Sequence, residues 1–257
     1  MLTTAQAGHF TTFGFAVLRG FLADRAAVLR AEVNAAIRDA YAATYDERVI
    51  DGISGHYLPM ASRLTPVSAS LACDDPRLID AAGQLLGGPV IPECPEGVLY
   101  FAEAGWHNDD GIGVHGVKFA AYFDQLTAAN GALRLVPGSH HPEQQARLAA
   151  WQRSQPPVSD DASADAYRDS FPGYIAETSP GDVIAFDLHT WHASFCGAGW
   201  PGPPFTSAAR IPARNGTGHC GRPVTASSRH SAASTAAATR YGGTGSAALP
   251  GTPAGHR

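Results

Sequence analysis

Acidic residues and lysine are missing from one end of this 257-residue chain. No Asp, Glu or Lys occurs between residues 196 and 257, where Ala, Gly, Pro, Ser and Thr dominate. Residues 1–195 hold all 23 acidic residues and 12 of the 18 basic ones, so their formal charge is −11, whereas the six remaining arginines give residues 196–257 a charge of +6. Such a segment buries too little apolar surface to offset its ordering entropy, so we expect a disordered basic tail. Its arginines lack the interleaved aromatic residues of nucleic-acid-binding segments, so no nucleic-acid partner is expected.

Long apolar runs and paired cysteines are also lacking. No run approaches the roughly 18 apolar residues of a membrane span, and the first twenty residues lack the pattern of a secretory signal. We therefore expect a cytoplasmic protein with no membrane partner. The four cysteines are widely spaced and form no CxxC pair, which argues against a zinc knuckle or a redox motif and favours buried or incidental thiols. The hydrophobic fraction of 44% suits a globular domain with a substantial core.

The first 195 residues combine two helical patterns with a series of short β-type runs. Apolar residues at helical spacing follow Asp24 as far as Tyr41, and a second helix is predicted from Pro76 to Leu86, where a Gly-Gly-Pro run stops it. Runs bounded by turn-forming residues predict strands over residues 98–101, 117–123, 132–136, 175–178, 183–186 and 191–195. Many short strands separated by turns predict a mainly β fold, either a sandwich or a barrel.

The sharpest local motif is His107-Asn108-Asp109, shortly after the first of these strands. Alternate side chains of an extended segment share a face, so His107 and Asp109 are expected to point the same way. A later strand runs into a segment with two more histidines, His189 and His192. Two imidazoles and one carboxylate are the donor set of the facial triad that binds Fe(II) with open positions. Taken alone, the motif also fits a histidine hydrogen-bonded beside an aspartate.

Several motifs, taken in order, resemble the phytanoyl-CoA dioxygenase family of non-haem iron, 2-oxoglutarate-dependent oxygenases. They are GFAVLRGF at 14–21, HND at 107–109, VKFAAYFD at 117–124, NGALRLVPGSH at 130–140, PGDVIAF at 180–186 and HAS at 192–194. The asparagine-glycine to serine-histidine run is the most characteristic of them. The resemblance covers about residues 10–195 and implies a double-stranded β-helix, a jelly roll like that of the cupins, with N-terminal α-helices.

By that resemblance His107, Asp109 and His192 are the iron ligands, and Fe(II), 2-oxoglutarate and O2 are the cofactors and co-substrates. His192 is preferred because a small residue and Ser follow it, and His189 stays the alternative ligand. Related halogenases replace the carboxylate ligand with a small residue, so Asp109 favours hydroxylation or another oxidative step. The partner implied is a small organic substrate, and neither its identity nor the oligomeric state can be read from the sequence.

The resemblance breaks after His192. The family places an arginine about one strand beyond the distal histidine, where it binds the distal carboxylate of 2-oxoglutarate. Here the next arginines, Arg210 and Arg214, follow a Gly-Pro-rich stretch that cannot form a regular central strand. We therefore expect residues 1–195 to form the oxygenase domain without its last strand. Residues 196–257 would then be a low-complexity tail, either disordered or produced by a shift of reading frame near residue 195.

Other residues must then complete the site. Lys118, the only lysine in the chain, and Arg134 are candidates for binding the 2-oxoglutarate carboxylate, and Tyr100 is a candidate beside them. Phe119 and Trp191 are candidates for lining the substrate pocket, with a plain core role as the alternative. The function predicted is that of an Fe(II) and 2-oxoglutarate-dependent oxygenase. The alternatives are an inactive or truncated relative that binds metal without turnover and a cupin-like protein that uses another metal.

Overall fold

The computed structural model describes residues 1–41, 55–60, 63–100, 103–109, 114–156, 161–196 and 206–216. The strands in these residues are β1 Phe15–Leu18, β2 Gly55–Pro59, β3 Val90–Pro92, β4 Glu96–Tyr100, β5 Ala104–His107, β6 Gly116–Tyr122, β7 Asn130–Leu135, β8 Tyr174–Ala176, β9 Val183–Asp187, β10 His192–Cys196 and β11 Thr206–Asn215. The helices are α1 Thr4–Phe13, α2 Ala26–Ala40, α3 Pro66–Asp74, α4 Pro76–Leu86, α5 Pro142–Ser154 and α6 Asp161–Arg168.

The strands form two antiparallel sheets. The larger sheet has the order β1-β9-β6-β11-β4-β2, with β3 paired to β11, and the smaller sheet has the order β5-β10-β7-β8. A core cluster joins them, because it contains Tyr122 and Phe186 from the larger sheet together with Leu133 and Leu135 from the smaller one. Two facing antiparallel sheets are the architecture of the mainly β jelly roll that the sequence predicts.

Helices cover the outer faces of both sheets. Residues of α1 to α4 pack with Phe119, Ile211 and other outward side chains of the larger sheet. The smaller sheet instead packs Ala193 and Phe195 against Leu148 of α5. Strand β6 is buried along its whole length because both of its faces are covered. Side chains alternate along it, so the odd-numbered Phe119 faces the helices whereas the even-numbered Ala120 and Tyr122 face the smaller sheet.

The predicted helix over Pro76–Leu86 is confirmed with its caps. The Asp75 side chain accepts a hydrogen bond from the backbone N–H of Arg77, and Pro76 occupies the first turn, where its missing N–H costs nothing. Gly87 ends the helix in the left-handed conformation with a φ of 72°, which favours glycine. The helix predicted after Asp24 is α2, whose residues Leu29, Val33 and Ile37 are buried.

The expected loss of the last strand is wrong. Strand β11 begins at Thr206, and it pairs with β6 on one side and with β4 and β3 on the other. Ala209, Ile211 and Ala213 are buried against the helices at the period of two that a strand requires. The alanine-rich composition led us to expect disorder. Small apolar side chains such as alanine nevertheless suit a strand that is buried on both faces. Residues 206–216 are therefore ordered, and residues 217–257 lie outside the described part of the chain.

Two expectations from the composition can be placed on the structure. Among the described residues, no helix is both long and apolar enough for a membrane span. The cytoplasmic location stays a prediction. The expectation of incidental thiols is wrong for Cys73, which is disulfide-bonded, whereas Cys94 is a free cysteine.

Candidate metal centre

The structure brings His107, Asp109 and His192 together at one edge of the smaller sheet. His107 ends β5 and His192 begins β10, and the two residues are directly opposite in the antiparallel pairing of these strands. Asp109 follows β5 and is held by its backbone N–H, which donates to the carbonyl of Leu188 at 2.9 Å. One possible ligand atom from each of the three side chains lies within 4.8 Å of the other two.

Backbone carbonyls orient both imidazoles. His107 Nδ1 lies 2.7 Å from the carbonyl oxygen of Gly105, and His192 Nδ1 lies 2.8 Å from that of Thr190. A carbonyl oxygen only accepts, so each Nδ1 carries the hydrogen and each Nε2 keeps its lone pair for a metal ion. Burial, followed by the nearby His107, lowers the pKa of His192 to about 3, and burial also lowers the pKa of His107. Both rings are therefore neutral at pH 7, as metal ligands must be.

The Asp109 carboxylate completes the donor set. Its Oδ2 atom lies 3.8 Å from His192 Nε2 and 2.8 Å from Lys118 Nζ, yet this buried oxygen accepts no well-directed hydrogen bond from the residues that the structure describes. Burial alone would raise the pKa of Asp109, but the charge of Lys118 above all outweighs burial and holds that pKa well below its usual range. An ionised, under-satisfied oxygen beside two imidazole lone pairs fits a divalent metal ion, and two His with one carboxylate suit Fe(II).

Arg210, which the sequence led us to set aside because a Gly-Pro-rich stretch precedes it, lies in this region. It lies on β11 opposite Ala120 of β6, and its guanidinium carbon is 5.3 Å from the ring centroid of Tyr100 and 5.7 Å from that of Tyr57. Its charge also lowers the pKa of Asp109. Arg210 alternates with Ala209 and Ile211, which face the helices, so it points between the sheets. Side chains alternate between the two faces of a strand, so the position of Arg210 between Ala209 and Ile211 would predict that it points inward. The sequence did not predict this because the Gly-Pro-rich stretch argued against a strand here.

Two tyrosines of the larger sheet share this inner region. Burial raises the pKa of Tyr100 well above its usual value, and burial raises that of Tyr122 to about 12. Both phenols therefore stay protonated at pH 7 and keep a hydrogen to donate. Tyr100, Arg210 and Lys118 thus bring hydrogen-bond donors and positive charge to the region around Asp109.

The other residues singled out in the sequence lie elsewhere. Arg134 alternates with Leu133 and Leu135, which face the larger sheet, and its guanidinium carbon lies 5.5 Å from the Phe195 ring centroid on the outer face of the smaller sheet. Phe119 is in the core against the helices, and Trp191 is in the outer aromatic cluster around α5. The plain core role is therefore the one that both aromatic residues have, and neither lies on the face that carries the two histidines and Asp109.

His189 is occupied by another partner. Its Nδ1 atom lies 2.8 Å from Asp187 Oδ1, and its backbone N–H donates to the same oxygen. Among the described residues, the one group of side chains close enough to hold a metal ion consists of His107, Asp109 and His192. The geometry therefore favours His192 over His189 as the third ligand.

Comparison with known proteins agrees with this architecture. The L-proline trans-4-hydroxylase of Streptomyces griseoviridis is 37% identical over 78 residues, a stretch that covers 26% of this chain and 29% of that protein. AviO1 from Streptomyces viridochromogenes Tue57 is similar in structure, with a TM-score of 0.60 and 22% identity over 84% of this chain and 97% of the other. EctD from S. alaskensis, solved with 2-oxoglutarate and 5-hydroxyectoine, has a TM-score of 0.58 and 25% identity over 83% of this chain and 76% of the other.

A family model matches most of the chain. The model of the phytanoyl-CoA dioxygenase (PhyH) family matches residues 10–196, which is well over half of the chain. The matched region contains all three residues of the candidate metal centre and ends just before β11. This chain belongs to the phytanoyl-CoA dioxygenase family.

Proposed function

We propose that this protein is an Fe(II) and 2-oxoglutarate-dependent oxygenase that acts on a small organic molecule. The observation that carries the proposal is the set of His107, Asp109 and His192, whose possible ligand atoms lie within 4.8 Å of one another while carbonyls hold both Nδ1 atoms. His107 Nε2, His192 Nε2 and an oxygen of Asp109 would hold the iron. Iron bound there would supply the activation of O2, with 2-oxoglutarate as the co-substrate that is oxidised alongside the substrate.

Arg210 is proposed to bind the distal carboxylate of 2-oxoglutarate. It lies on the inner face of the larger sheet, its charge acts on Asp109, and a guanidinium binds a carboxylate bidentately while staying charged. Tyr100, whose ring lies against Arg210, is placed to help position the same molecule. We therefore assign the binding of the 2-oxoglutarate carboxylate to Arg210, and not to Lys118 or Arg134 as the sequence suggested.

Lys118 has a different proposed role. It is buried, and its ammonium nitrogen lies 2.8 Å from the Asp109 carboxylate. A cation at this distance keeps the carboxylate ionised and fixes its direction. We assign to Lys118 the positioning of Asp109, which keeps the carboxylate ready to bind iron.

Hydroxylation is the reaction that the available features support best. Asp109 occupies the ligand position that related halogenases leave to a halide, and the relative from Streptomyces griseoviridis is a hydroxylase. The matched stretch spans less than a third of that relative, so its substrate is no guide to the one used here. The sequence suggested an inactive relative because no arginine seemed available to bind 2-oxoglutarate. Arg210 is such an arginine, so this alternative loses its support.

The test is an anaerobic titration of the iron-loaded chain with 2-oxoglutarate, monitored by visible absorption. Bidentate chelation gives a charge-transfer band, which we expect in the wild type and not in the His107→Ala variant. Added O2 should then yield succinate. A wild type that binds iron but develops neither band nor succinate would contradict the proposal and favour a cupin-like metal-binding protein.

A further inference from the structure

One side chain of α5 connects the segments that carry the metal ligands. Gln145 is half-buried in the first turn of α5. Its Nε2 donates to the carbonyl oxygens of Ser139 and His189, the latter at 2.7 Å. Its Oε1 accepts from Asn108 Nδ2 at 2.7 Å and from the indole N–H of Trp191 at 3.3 Å.

These four hydrogen bonds use every donor and acceptor of the Gln145 amide. A primary amide has two N–H donors and an oxygen with two lone pairs. The carbonyls of Ser139 and His189 only accept, so the nitrogen must face them and the oxygen must face Asn108 and Trp191. The amide orientation is therefore fixed by its partners.

The partners of Gln145 are the immediate neighbours of the metal ligands. Asn108 lies between His107 and Asp109, and Trp191 directly precedes His192. Neither segment belongs to α5, and His192 lies 85 residues after His107 in the sequence. The Gln145 amide therefore joins two distant parts of the chain at the site. A shift of Gln145 would move one ligand-bearing segment relative to the other.

Two further contacts tie the same parts together. Gln152, two turns along α5, donates to the carbonyl of Trp106 at 3.1 Å, directly before His107. The Ser139 hydroxyl accepts from the backbone N–H of Trp191 at 2.8 Å. From the outer face of the smaller sheet, α5 is therefore bonded to both ligand-bearing segments, and Gln145 is the side chain that contacts each of them.

We propose that Gln145 is a positioning residue that fixes the distance between the His107–Asp109 segment and His192, and thereby sets the affinity of the site for its metal ion. The inference rests on the proposed function, because it assumes a metal ion at these three side chains. Metal sites need their ligands held within about 0.5 Å, and residues that orient ligands typically change metal affinity by about 10–100-fold when removed.

Two variants of similar size test the inference. Gln145→Glu keeps the shape but loses both donors and puts a negative charge against two carbonyl oxygens, and Gln145→Met loses all four bonds. The control is Gln144→Glu, which makes the same change at the exposed neighbouring residue. Co(II), with its visible absorption bands, is titrated anaerobically into each full-length variant, and thermal unfolding is followed by circular dichroism.

We expect both Gln145 variants to bind Co(II) about tenfold or more weakly than the wild type and with an altered visible spectrum, while Gln144→Glu stays within about twofold. A purely structural role would lower the melting temperature and leave the affinity and spectrum of the folded protein unchanged, which would overturn the inference. Should both Gln145 variants fail to fold, Asn108→Ala removes one of the same bonds from the other side. Wild-type Co(II) affinity in that variant would also overturn it.

The same titration separates this inference from the proposed function. A wild type that does not bind Co(II), or a His107→Ala variant that binds it equally well, would refute the metal centre itself and the role of Gln145 with it. Binding that depends on His107 but not on Gln145 would refute the positioning role alone.

Discussion

Two regions of the molecule combine an arginine with aromatic rings. On the inner face of the larger sheet, Arg210 lies 5.3 Å from the Tyr100 ring centroid, and its charge lowers the pKa of Asp109. On the outer face of the smaller sheet, Arg134 lies 5.5 Å from the Phe195 ring centroid, and its buried Nε has no hydrogen-bond partner among the described residues. Only the first arginine shares its region with the metal-ligand candidates.

The difference shows that the face of the sheet decides the role of these side chains more than residue type or burial does. Both regions contain an arginine next to aromatic rings. On the inner face they meet two imidazoles and a carboxylate, whereas on the outer face they meet the apolar cluster of Trp106, Trp191 and Leu148. Replacing Arg210 should therefore change the binding of the co-substrate, whereas replacing Arg134 should mainly change stability.

The largest effect is expected from the candidate metal ligands. His192→Ala should weaken Co(II) or Fe(II) binding by more than about 100-fold, beyond the range typical of residues that only support ligands. The matched control is His189→Ala, which removes a histidine three residues away whose ring lies against Asp187. Anaerobic titration measures both. Comparable losses in the two variants, or a greater loss for His189→Ala, would show that the ligand has been assigned to the wrong histidine.

Lys118→Met should come next, measured as stability of the metal-free chain. Removing one partner of a buried ion pair leaves the other charge uncompensated, so the free energy of unfolding should fall by about 3 kcal/mol. Urea unfolding in the presence of a chelator measures it. In the double variant with Asp109→Asn the two losses should be less than additive. Full additivity would mean that the two side chains do not interact.

Arg210→Gln sharpens the comparison of the two arginines directly. Losing a charged, bidentate contact should raise the Kd for 2-oxoglutarate of the iron-loaded protein about 10–100-fold. Arg134→Gln, the matched change on the outer face, should leave that Kd within about threefold. The charge-transfer band reports both affinities. If Arg134→Gln has the larger effect, the co-substrate is held from the smaller sheet and Arg210 is not its anchor.

How much of this could be predicted from the sequence differs between the proposed metal ligands and Arg210. His107 and Asp109 are two residues apart, so local alternation along a strand predicts their shared direction. Placing His192 beside them depends on a pairing of β5 with β10 that only the order of family motifs could suggest. Strand β11 was missed because its flanking Gly-Pro stretch reads as a loop and its alanines carry little strand signal. The partners that make it a strand, β4 and β6, lie roughly 90 to 110 residues earlier in the chain.

The positions of Phe119 and Trp191 illustrate a second limit of sequence reasoning. An aromatic residue near a motif can face either side of its strand, and the choice depends on what covers each face. Phe119 follows Lys118 directly, so the two side chains must lie on opposite faces of β6. Once Lys118 contacts Asp109 on the inner face, Phe119 belongs to the helix-covered core. The register of one residue thus separates a site residue from a core residue.

The smallest predicted effect concerns pH, and it tests whether the inner face holds its histidines neutral. The pKa of His192 is lowered from 6.5 to about 3 by burial first and then by His107, so below pH 6.5 the unfolded chain takes up a proton that the folded chain refuses. The free energy of unfolding of the metal-free protein must therefore fall as the pH drops, and His192 alone should contribute about 1 kcal/mol between pH 7 and pH 5.5. Urea unfolding of wild type and His192→Asn at both pH values isolates this part, because asparagine does not titrate. An equal decrease in the two proteins would show that His192 is protonated as readily in the folded chain as in the unfolded one, and that the inner face does not favour the neutral ring.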